Sequence, residues 1–324
     1  MKYNHFVITI VIGTFLLSSC NHNDEVNSPT TGIALGGGGA KAAAEIGVLE
    51  ELEQLGVKID YIAGTSMGAV VGGLYAAGYS GKELREMWLN EGWLQLFDKN
   101  EVFKFGNNNR SFFGVINGDE FEYQLRNALK AKECSTFADL RIPFVCVSTL
   151  IIDDTRIEER YLGLDEKDKD LDLARAIRAS MTHPLGYSPI TLDGMRLVDG
   201  GMVNNLPVDV VDSMGAERVI AVDLDMNNYN VHHDSEMIRL LPSINDRVSN
   251  AVEHTKTEWL FDWLSRRPDI DKCITNRRHP GMIYIRPRLD KYDILSFSIK
   301  DAETMMSFGK AWAKKERRKL KMNN

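Results

Sequence analysis

Two short stretches of the sequence carry residue types that can act together in acyl transfer. They are four consecutive glycines at residues 36–39 and the segment AGTSMGA, with Ser66 between two glycines. A serine hydroxyl can act as a nucleophile, and backbone N–H groups can bind the oxyanion that forms. A GxSxG pattern arises by chance in roughly one chain of this length in ten, so its surroundings must decide.

The segments around the glycine run and around Ser66 predict a parallel sheet. The apolar run GIAL precedes the glycines, and Ile46, Leu49, Leu52 and Leu55 then recur at helical spacing. A second apolar run, VKIDYIAG, leads to Ser66, and a helix of small residues follows it. Strand, turn and helix repeated in this way are typical of crossover connections, which place both turns at the same edge of the sheet.

The rest of the chain predicts further elements of the same kind. Buried strands are expected at 142–152 and in MRLVDGG and RVIAVDL, with helices at 172–180 and in NLPVDVVDSMG. These elements define an expected α/β domain at 32–224. Residues 225–324 are predicted to form a mainly helical C-terminal extension packed on that domain, with a late strand in GMIYIRP.

The glycine run predicts an anion site, because it presents successive N–H groups at the start of a helix. A nucleotide-triphosphate loop is excluded, since Lys41 is not part of a Gly-Lys-Ser/Thr sequence. A dinucleotide fingerprint remains as the weaker alternative, with Gly37, Gly39 and Ala42 in the turn and Asp60 placed to bind a ribose. The third candidate is the oxyanion of acyl transfer, which the context of Ser66 favours.

Composition narrows the function classes. A chain of 324 residues with a formal net charge of -7 gives no reason to expect nucleic acid as a partner. No metal-ligand spacing stands out, so neither a metal nor a cofactor is expected. The four cysteines are too few and too scattered for a disulfide scaffold.

The N-terminus reads as a targeting segment. Lys2 precedes the apolar stretch FVITIVIGTFLL, which is too short for a permanent membrane span, so 1–19 is predicted to be a signal peptide. Its end, LLSSC, resembles the lipobox of bacterial lipoproteins, which implies lipid attachment at Cys20 and a polar tether at 20–31. The expected location is the bacterial cell envelope, with the protein bound to a membrane through this lipid. An ordinary signal peptide or a buried apolar segment is the alternative.

Three ordered blocks carry a family resemblance: GGGGAK with the following IGVLEEL, then GTSMGA, and then LVDGGMVNNLPVDVV. Together they resemble the bacterial patatin-like phospholipases over roughly residues 32–224. The resemblance implies an α/β fold, a three-layer sandwich with a central, mostly parallel sheet. It also implies a lipid acyl hydrolase of the phospholipase A or lysophospholipase type, acting on a phospholipid or another acyl ester without a cofactor.

Transferred position by position, the resemblance implies that Ser66 is the nucleophile and Asp199 its partner, with an oxyanion hole formed by Gly37, Gly38 and Gly39. An ordinary aspartate has a pKa of about 3.9 and is a weak base, so burial must raise it for the pair to work. The alternative is a catalytically weak or inactive lipid-binding lipoprotein of the same fold.

Two positions depart from the family pattern. Ala42 stands where family members usually carry glycine, and Glu45 stands where a histidine is common. If position 42 requires a positive φ, an alanine there would displace the glycine loop. Both departures bear on activity more than on the fold.

Overall fold

The computed structural model describes residues 29–90, 93, 96, 118–153, 156–183, 187–224 and 282–321. The signal peptide predicted at 1–19, the lipid attachment at Cys20 and the helices predicted within 225–281 lie outside these residues. Among the described residues, no helix has the length and apolar character needed to cross a bilayer.

The strands of the described residues form one eight-stranded sheet. Their bounds are β1 Thr31–Leu35, β2 Tyr61–Thr65, β3 Phe144–Ile151, β4 Ile157–Leu162, β5 Ile190–Leu192, β6 Met195–Asp199, β7 Arg218–Val222 and β8 Ile283–Ile285. The order is β5-β6-β3-β2-β1-β7-β8, with β4 also paired to β3. Strands β3, β2, β1, β7 and β8 are parallel, whereas β4 and β6 run antiparallel to β3, and β5 antiparallel to β6. The expected central, mostly parallel sheet is confirmed.

Helices cover both faces of this sheet. Their bounds are α1 Ala43–Gln54, α2 Met67–Ala76, α3 Gly81–Trp88, α4 Asp119–Ala131, α5 Leu173–Ser180, α6 Val208–Ser213, α7 Ile299–Lys315 and α8 Arg317–Lys321. Along β1, Ile33 and Leu35 belong to the core under α1, α2 and α5, while Ala34 faces the second core under α6. This alternation along a buried strand gives the α/β sandwich its three layers.

Most predicted elements are present. The apolar runs ahead of the glycine loop and of Ser66 form β1 and β2, and the strand expected at 142–152 forms β3. Strands β4 and β5 and helices α3 and α4 were not predicted from the sequence. The β4 sequence IEERYL lacks an apolar run, because five of its six residues are only partly buried or exposed. The capping box of Ser80 and Glu83 could have predicted the start of α3 from the sequence.

Residues 282–321 belong to the same core as the preceding domain. Strand β8 extends the sheet beside β7, and α7 lies along α1 at backbone contact distance. A Cβ atom on Gly309 would lie 1.8 Å from the Ala44 carbonyl oxygen, and one on Gly47 would lie 1.8 Å from the Met306 carbonyl oxygen. The two helices therefore approach so closely that each needs a glycine at the contact.

Both described ends of the chain lie together. The buried Arg218 guanidinium donates to Thr31 Oγ1 at 2.7 and 3.0 Å and to the Leu320 carbonyl oxygen at 3.2 Å. Thr31 and Arg218 begin two adjacent parallel strands, so this cluster lies at the amino ends of the strands. The glycine loop lies at the other end of β1.

The contact between α1 and α7 predicts a large loss of stability on Gly309→Ala. Alanine is the better helix former, but the new methyl group overlaps the Ala44 carbonyl, and such overpacking costs about 1–3 kcal/mol. Urea unfolding of Gly309→Ala should show this loss. Ser307→Ala, at an exposed position of the same helix, is the control and should change stability by less than about 0.5 kcal/mol. Equal stabilities of the two variants would contradict the close approach.

Candidate active site

Strand β3 brings two distant segments to one place. Thr65, the last residue of β2, pairs with Val147, and Asp199, the last residue of β6, pairs with Ser148 on the same strand. Ser66 follows directly after Thr65. Its Oγ donates a hydrogen bond to Asp199 Oδ2 at 2.8 Å.

The backbone of Ser66 is strained. It adopts φ 55° and ψ -126° between β2 and α2, in a region that side chains other than glycine rarely occupy. Its N–H donates to Ser180 Oγ at 2.9 Å, and Ser180 Oγ in turn donates to the Val147 carbonyl oxygen. This buried relay fixes the sharp turn to β3, so that the hydroxyl projects from the turn toward Asp199.

Asp199 is buried, with 4% of its surface exposed. Burial raises its pKa to about 6, while hydrogen bonds from the Gly201 N–H (2.8 Å) and the Ser66 hydroxyl act in the opposite direction. Thr149 Oγ1 donates to the Asp199 carbonyl oxygen at 2.7 Å and the Asp199 N–H donates to Thr182 O at 2.9 Å, which fixes its backbone. The carboxylate is therefore a stronger base than a free aspartate and still largely ionised at pH 7.

The three glycines predicted as oxyanion donors differ in the hydrogen bonds that their N–H groups make. The Gly37 N–H donates to the Asn205 carbonyl oxygen at 3.0 Å, and Asn205 Nδ2 donates back to the Gly37 carbonyl oxygen at 3.2 Å. Gly37 is thus engaged with the loop that follows Asp199. The N–H groups of Gly38 and Gly39 donate to no atom in the part of the chain that the structure describes. Within the described residues, their donor capacity is therefore unused.

The loop is fixed on its other side by a residue far along the chain. The Ala40 N–H donates to the Ile294 carbonyl oxygen at 2.8 Å. Gly39 has φ 56°, and a Cβ there would lie 2.3 Å from the same oxygen, so only glycine fits.

Ala42, the first departure from the family pattern, has ordinary backbone angles. Its φ of -59° and ψ of -16° are right-handed helical values, and its side chain is fully buried. The alanine therefore adopts no positive φ in this structure. Glu45, the second departure, lies in the first turn of α1 with 0% of its surface exposed.

The geometry also removes the dinucleotide alternative. Asp60 precedes β2, and its carboxylate accepts from the Thr31 N–H at 2.9 Å and pairs with Lys58 at 2.6 Å. It therefore lies at the amino ends of the strands, across the sheet from the glycine loop. A ribose beside that loop would be out of its reach.

Sequence reasoning missed two residues that shape this site. Asn205 joins the glycine loop to the loop after Asp199, and Ser180 holds the turn at Ser66. The Asn-Leu-Pro sequence at Asn205 is a turn signal that could have singled it out. Ser180, within the predicted helix at 172–180, carried no such signal, since its role depends on the register between that helix and β3.

The family model of patatin-like phospholipases matches residues 33–212, more than half of the chain. The chain belongs to the patatin-like phospholipase family. The predicted family resemblance and fold class are thereby confirmed, while bacterial origin and lipid attachment stay predictions.

Two curated relatives illustrate the match. The chain is 28% identical over 282 residues to lysophospholipase NTE1 of Candida albicans, covering 84% of this chain and 19% of that protein. It is 35% identical over 208 residues to patatin-like phospholipase domain-containing protein 7 of Mus musculus, covering 61% of this chain and 14% of that protein. The chain thus corresponds to less than a fifth of the length of these relatives.

A solved structure, VipD from Legionella pneumophila, superposes with a TM-score of 0.48 at 15% identity, over 91% of this chain and 67% of that chain. Family membership rests on the match to the family model.

Two further features concern the cysteines and metals. Cys134 and Cys146 are buried free thiols, and burial raises the pKa of the Cys146 thiol to about 12. Within the described ranges, no group of three or more histidine, cysteine, aspartate or glutamate residues is arranged to hold a metal ion.

The strain at Ser66 predicts that a glycine at this position gives a more stable protein than an alanine. This is the reverse of the order found within helices. Ser66→Gly and Ser66→Ala lose the same hydroxyl, but only glycine relaxes at φ 55°, so Ser66→Gly should be more stable by about 1–2 kcal/mol. Chemical denaturation of the two variants measures this difference. At the exposed helical Ser307, the corresponding pair should show the opposite order by about 1 kcal/mol. The same order at both positions would mean that Ser66 is unstrained.

Proposed function

We propose that the protein is a lipid acyl hydrolase that cleaves carboxylic esters through a Ser66–Asp199 dyad. The observation that carries the proposal is the 2.8 Å hydrogen bond from Ser66 Oγ to a buried carboxylate, at a strained turn beside the glycine loop. Phospholipid or lysophospholipid substrates, in a phospholipase A or lysophospholipase reaction, are proposed from membership in the patatin-like phospholipase family.

In the first step, Ser66 Oγ attacks the ester carbonyl carbon while its proton passes to Asp199 Oδ2. The carbonyl oxygen gains the negative charge, and we assign its stabilisation to the N–H groups of Gly38 and Gly39. One such donor is worth about 2.7–4 kcal/mol in other serine hydrolases. The intermediate then collapses, the bond to the alcohol breaks, and the alcohol takes the proton from Asp199.

In the second step, water hydrolyses the acyl-enzyme. Asp199 accepts a proton from the water as its oxygen attacks the acyl carbon, and the same glycine N–H groups receive the second oxyanion. Collapse releases the fatty acid, and the proton returns to Ser66 Oγ. Because a single carboxylate serves both steps, no histidine is required.

Gly37 has a different assignment. Its N–H is held by Asn205, so its role is to couple the glycine loop to the loop of Asp199. Opening of that hydrogen bond would be needed before Gly37 became a third donor.

The dyad predicts that Ser66→Ala and Asp199→Asn each lower kcat/KM by at least about 10³-fold on esters of graded chain length, with and without a phosphate headgroup. A serine-directed phosphonate should label the wild type at Ser66 and spare Ser66→Ala. Ser307→Ala is the matched serine control and should retain full activity and labelling.

Two results would count against the dyad. Activity that survives Ser66→Ala would remove Ser66 as the nucleophile. A wild type that neither hydrolyses any ester nor takes the label would favour the lipid-binding alternative of the same fold.

The raised pKa of Asp199 predicts the acid side of the pH profile. Only the ionised carboxylate accepts the serine proton, so kcat/KM should fall about tenfold per pH unit below about pH 6. An uncharged ester substrate isolates this effect from substrate ionisation. A profile that stays flat to pH 4.5 would show that a group other than Asp199 is the base.

Attachment to a membrane through Cys20 is part of the proposal and rests on the LLSSC sequence. The bacterial cell envelope is the corresponding location. The supporting observation is the polar segment of residues 20–31, long enough to separate a lipid from the first strand.

A further inference from the structure

Glu45 is the most unusual ionisable group of the described residues. Its surface exposure is 0%, and neither carboxyl oxygen has a hydrogen-bond partner within the described part of the chain. A buried ionised carboxylate normally has hydrogen-bond donors or a cation beside it, because removal from water strongly disfavours its charge. Nothing in the proposed reaction uses this side chain.

The carboxyl lies at the base of the glycine loop. Glu45 occupies the first turn of α1, directly after the helical turn that ends the loop. The N–H of Gly36 is close enough to lower the Glu45 pKa, although it donates its hydrogen bond to the Val222 carbonyl oxygen at 3.2 Å. Gly38 and Gly39, the assigned oxyanion donors, follow Gly36 by two and three residues.

Burial is the dominant influence on this carboxyl and raises its pKa well above the ordinary value of 4.5. The helix N-terminus alone would favour the anion, but this effect is smaller than the loss of hydration. Burial without a hydrogen-bond partner therefore favours the neutral acid over the anion at this position.

The charged groups on neighbouring elements do not reverse this effect of burial on Glu45. Arg85 on α3 and Lys310 on α7 both lie beside Glu50, further along α1. Helix α2 carries no charged side chain, and its Tyr75 interacts with Glu53. Lys41 on the preceding turn is the cation nearest in sequence to Glu45, and it is not among the influences on the Glu45 pKa.

We propose that Glu45 is a positioning residue that acts as a neutral acid beneath the oxyanion loop. Its protonated carboxyl fills the space under Gly36 without adding charge. Ionisation would place a negative charge beside the N–H groups that receive the oxyanion, and would draw the Gly36 N–H away from β7. Both changes oppose catalysis. This inference rests on the proposed function.

The two buried carboxyls then have opposite requirements. Asp199 has two hydrogen-bond donors and must be ionised, whereas Glu45 has no donor among the described residues and must be protonated. Environments that separate two such groups are a recurrent feature of acid–base sites. The active form is the one with Asp199 charged and Glu45 neutral, which predicts a bell-shaped pH profile.

The test compares the wild type with Glu45→Gln, a neutral side chain of the same shape. Glu51→Gln is the matched control, since Glu51 is a buried carboxyl on the same helix, about 9 Å further along it. On an uncharged ester, the wild type and Glu51→Gln should lose kcat at alkaline pH. Glu45→Gln should stay within about threefold of the wild type at pH 7 and lose the alkaline fall. An alkaline fall unchanged in Glu45→Gln would overturn the proposal.

A second measurement does not depend on activity. A pKa raised on folding gives a stability contribution that is complete below pH 4.5 and is lost as pH rises toward the folded pKa. The unfolding free energy of Glu45→Gln relative to the wild type should therefore grow as pH rises above 4.5. A constant difference, or failure of this neutral variant to fold, would overturn the proposal.

These outcomes are separable from failure of the proposed function. If the wild type hydrolyses no ester, the dyad fails, and the stability comparison still determines whether Glu45 is neutral. If Ser66 is labelled and active but both pH readouts of Glu45→Gln match the wild type, only the role of Glu45 fails.

Discussion

The hydrogen bond between Ser66 and Asp199 joins residues 133 positions apart, and the arrangement of the site depends on that separation being fixed. It is fixed by β3, which pairs with β2 as far as Val147 and with β6 from Ser148 onward. Side chains alone would not maintain this geometry, because an exposed serine and an aspartate gain little from pairing in water. The pairing register of the sheet brings the two side chains together, and burial then raises the pKa of Asp199, which makes it a stronger base.

Burial acts differently on the two carboxyls of the site region. Asp199 keeps two donors and a pKa of about 6, so it remains a usable base at neutral pH. Glu45 keeps no donor among the described residues, and its charge is suppressed. The number of hydrogen-bond donors beside each carboxyl, one backbone N–H and one hydroxyl at Asp199, thus separates two chemically similar groups that are both withdrawn from water.

Much of the site was predictable, because its motifs lie at strand ends marked by glycine. The glycine loop, Ser66 and Asp199 each follow or end an apolar run, and parallel strands bring such ends to one edge. The engagement of Gly37 by Asn205 was not predictable, since it depends on how two loops meet in three dimensions. The short β5 and the polar β4 were missed because neighbouring strands, rather than their own patterns, determine them.

The cluster at Arg218 has a consequence for whatever is joined to the chain. Thr31 and Leu320 both lie at the amino ends of the strands, whereas Ser66 follows the carboxyl end of β2. A group joined to the chain beyond either residue therefore starts from the edge of the sheet opposite Ser66, and the length of its linker determines whether it can reach the Ser66 edge.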